Sequence, residues 1–72
     1  MNVEITDAEK SWPDIHIGLT DSDIGHLIDH LQALLQHRGH FHFRRDDFNA
    51  PSGIADIQIY WTDHAPANMH VE

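Results

Sequence analysis

The sequence predicts an α+β two-layer sandwich in the order β-β-α-β-β, with one amphipathic helix packed on a four-stranded, mostly antiparallel sheet. Three observations predict it. Four short segments alternate apolar and polar residues with a period of two, as half-buried strands do. One longer segment repeats apolar residues at i, i+3, i+4 and i+7, as one face of a helix does. That segment stands between two pairs of strand segments, so each pair reads as a hairpin and the helix as the cover of a shared sheet.

Val3-Glu4-Ile5-Thr6 opens the chain as a strand, and the polar stretch from Asp7 to Lys10 is turn-like. Pro13 has no N–H to give a ladder, so it belongs at or outside the start of the second strand. That strand, Asp14 to Leu19, places Ile15, Ile17 and Leu19 on one face. Thr20-Asp21-Ser22-Asp23 carries the strongest local signal. Thr20 caps the first turn, Asp23 three residues on completes an unusual capping box, and the acids favour the positive end of the helix dipole. Ile24, Leu27, Ile28, Leu31, Leu34 and Leu35 then form the apolar stripe of a helix over 21–37. His37 and Arg38 suit its C-terminal end, with Gly39 as the residue that turns the chain away.

His40 to Arg44 alternates strictly, with Phe41 and Phe43 inward, and Arg45 to Gly53 is turn chemistry throughout. The last strand spans Ala55 to Thr62 with Ile57, Ile59 and Trp61 inward. Residues 1–62 thus make a single domain, and 63–72, aperiodic and containing Pro66, a loose tail. The expected core comprises the inward residues of all four strands and the helix stripe, sixteen side chains from Val3 to Trp61.

Seventy-two residues hold one domain. A chain this small buries only about 60% of its unfolded surface, and without cysteine it has no disulfide to compensate, so homodimerisation is an expected source of stability. Twelve acids against four Lys and Arg give a formal charge of −8. Nucleic acids and anionic membranes, which bind by neutralised phosphates, are therefore poor partners. The longest apolar run, Ala33-Leu34-Leu35, is far from the ~20 residues of a bilayer span. The first residues show no basic and apolar leader pattern, and the lack of cysteine fits a reducing compartment, so the expected location is the cytoplasm.

Eight histidines in so acidic a chain ask for an explanation, since protonating all of them would bring the formal charge to zero. His26, His30 and His37 fall in one row on the helix flank. His26 and His30, one turn apart, with Asp23 a turn earlier, form a candidate zinc or copper set. His26-Leu27-Ile28-Asp29-His30 has no glutamate after the first histidine, so it is not the metalloprotease signature. His16, His40 and His42 lie on the strand faces opposite the core, and in a shared sheet His16 would stand across from the other two. With Arg44, Gln58 and Tyr60 these three form a polar face that expects either solvent or another chain, and it is the candidate partner-binding or dimer surface. No cysteine, no serine in a nucleophile elbow and no phosphate-cradling glycine loop supports catalysis. The expectation is a non-enzymatic protein-binding module without a cofactor, with a histidine-based metal-binding protein as the alternative.

Gly18 to Trp61 also resembles a known family. A leucine-rich helix leads into Gly39-His40-Phe41-His42-Phe43, followed by a short acidic loop and the aliphatic strand Ala55-Asp56-Ile57-Gln58-Ile59. That succession is similar to the immunity protein 32 family, small predicted antitoxins of bacterial polymorphic-toxin systems. The resemblance covers 44 of the 72 residues. It implies a cytoplasmic, non-enzymatic protein that binds and blocks a toxin, and a strongly acidic chain suits a basic toxin partner.

Overall fold

A computed structural model describes residues 1–64 and 67–72. The elements follow the expected order: β1 (Asn2–Thr6), β2 (Asp14–Gly18), α1 (Asp21–His37), β3 (His40–Arg44) and β4 (Asp56–Tyr60). Each strand is five residues long, and each strand pair closes as an antiparallel hairpin. The expected four-stranded sheet does not form. β1 and β2 make one two-stranded sheet, and β3 and β4 make another. Alternation fixes which face of a strand is apolar, and a short connection fixes its hairpin partner. Neither sets pairing between hairpins that a helix separates in the chain.

Helix α1 forms where its end signals place it. Thr20 is the N-cap, extended at φ −80° and ψ 169°. The Asp23 amide donates to Thr20 Oγ1 over 3.2 Å, and the Thr20 amide donates to Asp23 Oδ2 over 3.0 Å, closing the capping box. Asp23 also holds the Met1 ammonium at 3.0 Å, which fastens β1 to the first turn of α1. At the other end, the Arg38 amide donates to the Leu34 carbonyl over 3.0 Å. Arg38 and Gly39 both take positive φ, 61° and 98°, so the reversal uses two left-handed residues where glycine alone was expected. Behind that reversal the Trp61 amide donates to the Gly39 carbonyl over 3.0 Å, and the Arg38 guanidinium lies 4.1 Å over the Trp61 ring. Trp61, expected as the last inward residue of a strand, thus lies just beyond β4 and serves the helix end instead.

The loops are held locally. In the β1–β2 connection Asp7 takes φ 55°, and its carbonyl and carboxylate both receive Lys10, the backbone amide at 2.9 Å and Nζ at 3.3 Å. Between β3 and β4, Arg45 Nε donates to the Asp47 carbonyl and Nη2 to the Ser52 carbonyl. The same residue's amide donates to the Ala55 carbonyl at the head of the ladder. Gly53, at φ 146°, leaves the space that this guanidinium occupies, since a Cβ there would run into Arg45 Nη1. In the tail, the described residues 63, 64 and 67–72 carry neither helix nor strand, while Ala65 and Pro66 lie outside the described residues.

The largest departure concerns the core. No described residue is fully buried. Of the sixteen expected core side chains nine are half-buried, among them Leu27, Leu34, Phe41, Phe43, Ile57 and Ile59. The other seven, Ile5, Ile15, Ile17, Ile24, Ile28, Leu31 and Leu35, are exposed. Register explains part of this pattern: Val3 pairs with Ile17 and Ile5 with Ile15, so the apolar face of the first hairpin is single and lacks a cover. Helix rotation explains the rest. At about 100° per residue, Leu27, His30 and Leu34 share an arc of about 60°, directed at the second hairpin, where the His30 ring stacks on Phe41 with centroids 5.0 Å apart. Ile24, Ile28, Leu31 and Leu35 share another arc of about 60°, centred about 100° away.

Two outcomes test the helix cap. Thr20→Ala removes the hydroxyl acceptor and should cost about 1 kcal/mol, a fall of roughly 4–8 °C in Tm by circular dichroism. Asp23 has its pKa lowered from 3.8 to about 2, first by the Thr20 amide, then by the Met1 ammonium and the Thr20 hydroxyl. Its folded pKa lies below the unfolded one, so its stabilisation is complete above pH ~4 and is lost as pH falls through about 2. Asp23→Asn should therefore flatten the dependence of Tm on pH between those two values.

Candidate functional site

The β3–β4 register assigns each side chain to a face. Phe41 pairs with Ile59 and Phe43 with Ile57, which puts four half-buried apolar residues on the side facing α1. His40 pairs with Tyr60, His42 with Gln58 and Arg44 with Asp56, which collects six polar or aromatic residues on the other side. Five of the six expected surface residues, His40, His42, Arg44, Gln58 and Tyr60, therefore share one face of one hairpin. His16 does not join them. It lies on β2 opposite Glu4, in the other sheet, so the expected pairing across a common sheet is absent.

Asp56 organises this face. His42 Nδ1–H donates to the Asp56 carboxylate at 2.9 and 3.0 Å, a diagonal contact across the ladder. A carboxylate only accepts, so this geometry fixes the proton on Nδ1 and leaves Nε2 as the ring's outward polar atom. Arg44 Nε stands 3.8 Å from the same carboxylate oxygen, so Asp56 lies between the His42 imidazole and a guanidinium. The His40 ring meets His42 edge-on, with centroids 5.1 Å apart and planes at 89°. His42 is the least exposed member of the pair it forms with Asp56 (22% against 46%), while Tyr60 at 58% and Arg44 at 73% stand clear. The result is a row of one oriented imidazole, one free imidazole, a guanidinium and a phenol on a rigid two-stranded base.

The candidate metal set is not assembled. The Asp23 carboxylate is taken up by the Thr20 amide and the Met1 ammonium, and His30 lies flat on Phe41. Among the described residues no group of three or more His, Asp or Glu side chains is placed to hold a metal ion. A cleft of about 330 Å³ opens where the start of β1 approaches the far end of the second hairpin. Met1, Val3, Phe43, Arg45 and Ile57 line it, and of the histidine face only Arg44 reaches it. It marks the seam between the two hairpins and not a pocket under the histidines. Among the described residues no helix is long and apolar enough to cross a membrane.

Three residues that organise the structure carried little signal. Alternation places Asp56 on the polar face beside Gln58, but its contact with His42, a diagonal one, is not set by that spacing. Arg38 and Arg45 could not be picked out, because their roles rest on Trp61 and on carbonyls of a loop whose path local sequence does not set. Compared with protein-family models, with curated proteins and with solved structures, the chain matches none.

The oriented imidazole gives a direct check. Nitrogen-detected NMR of the histidine rings should show His42 with its proton on Nδ1, against the usual preference of free imidazole for Nε2. Asp56→Ala should abolish that preference while His40 keeps its own; an unchanged His42 tautomer would remove Asp56 from its organising role.

Proposed function

We propose that this chain is a small acidic protein-binding module that captures a basic partner protein in the cytoplasm, and that inhibition of a bacterial toxin is its sharpest form. The observation that carries this reading is the β3–β4 face. His40, His42, Arg44, Gln58 and Tyr60 are displayed together on the side of the hairpin away from α1, and Asp56 holds the central imidazole in one orientation. Histidine, arginine and tyrosine offer donors, an acceptor and flat contact area at small entropic cost, the composition of a recognition surface.

Charge supports the same reading. A chain of net charge −8 attracts a basic protein over a Debye length, which raises the association rate and disfavours acidic partners. The resemblance of Gly18–Trp61 to the immunity protein 32 family supports toxin capture in particular. Its central strand, His40-Phe41-His42-Phe43, is the one that here presents both histidines outward.

The proposal expects a neighbouring gene whose product arrests growth, and co-expression with that product tests it. The parent chain should restore growth, and the double variant His42→Ala, Tyr60→Ala should fail to do so while keeping the parent's circular dichroism spectrum. In surface plasmon resonance each single variant should weaken capture about 10-fold or more. The association rate should fall steeply as salt is raised, because its driving force is screened. Failure of the parent to protect, or full protection by the double variant, overturns the proposal.

A further inference from the structure

We infer that the uncovered stripe of α1, Ile24, Ile28, Leu31 and Leu35, is the interface of a homodimer in which two helices pack antiparallel about a twofold axis. This inference stands independently of the partner proposed for the histidine face, and it moves the expected dimer contact from the polar face to the helix.

The size of the chain's surface is the first argument. A folded monomer of 8.3 kDa should expose about 4,600 Å², yet this chain exposes 6630 Å². Its radius of gyration is 14.0 Å, where a compact chain of this length should measure about 11 Å. Part of the excess belongs to loops and tail, where Trp12, Phe48, Met69 and Val71 stand free. The rest is uncovered surface of the elements themselves, and covering such surface is what stabilises an obligate homodimer.

Position on the helix is the second. Ile24, Ile28, Leu31 and Leu35 are 43%, 49%, 44% and 79% exposed. No charged residue falls inside their arc of about 60°, although the chain as a whole is strongly acidic. An uncharged patch lets two copies meet without setting carboxylates against each other, which selects a second copy over the basic partner that the rest of the surface favours.

Spacing is the third, and it fixes the geometry. The four residues are separated by four, three and four positions, a pattern that reads the same in both directions. A twofold axis through the midpoint between Asp29 and His30 therefore sets Ile24 against Leu35 of the second copy and Ile28 against its Leu31. Such self-complementarity is what an isologous contact requires.

The chain has no cysteine, which makes the pairing directly testable. In Ile24→Cys, Leu35→Cys the two thiols of one chain lie about 16 Å apart along the helix, too far to bridge within it. Mild oxidation should link two chains covalently in this double variant and leave each single variant unlinked. Sedimentation equilibrium of the parent should give about twice the 8.3 kDa chain mass. Leu31→Glu should raise the dimer Kd at least 30-fold, while Trp12→Ser, an exposed apolar residue in the β1–β2 loop, should leave it unchanged within about twofold. A parent that sediments as a monomer up to its solubility limit overturns the inference. So does a dimer in which the double variant fails to cross-link, even where Leu31→Glu unfolds the chain and gives no association constant.

Discussion

One helix has to serve two hairpins. A 17-residue helix is about 25 Å long but only about 10 Å across, while four strands side by side would span nearly 20 Å. Laid along the strands, it shields two of them. The second hairpin receives it: Phe41, Phe43, Ile57 and Ile59 are half-buried, whereas Ile5, Ile15 and Ile17 of the first are exposed. The absence of any fully buried side chain among the described residues, the bare helix stripe and the open seam beside Val3 and Phe43 all accord with that shortage of cover.

Given the shortage, the helix is positioned by specific contacts and not by a close-packed core. Asp23 grips the Met1 ammonium at one end, His30 rests on Phe41 in the middle, and Arg38 lies over Trp61 at the other end. These contacts are partly polar, so they set the helix rotation without burying much area. They turn Leu27 and Leu34 toward the second hairpin and leave the more apolar flank pointing away. Two surfaces of opposite character result. The oriented histidine face of β3–β4 is polar, while the exposed stripe of α1 is apolar and uncharged.

The local elements were legible in the sequence, and their assembly was not. Thr20 and Asp23 announce the helix start, and Asp21–His37 is the span its caps imply. Alternation in His40–Arg44 places Phe41 and Phe43 on one side and His40 and His42 on the other, as the register confirms. These properties depend on neighbours within a few residues. The four-stranded sheet, and with it the pairing of His16 with His40 and His42, depended on contacts between hairpins, about which alternation carries no information. The grouping of Asp23, His26 and His30 also depends on contacts beyond the helix. Helical spacing brings those side chains together, but Asp23 and His30 are occupied by Met1 and Phe41, which lie outside the helix. Treating every apolar position as core also assumed that a single chain supplies its own cover.

Separation into two self-contained hairpins bears on how the molecule is built up in time. Every hydrogen-bonded pairing joins segments adjacent in the chain, β1 with β2 and β3 with β4, with α1 closing on itself between them. No strand ladder therefore has to close across the length of α1. Pairing of two copies through α1, as proposed, would then be the concentration-dependent step in reaching the assembled molecule.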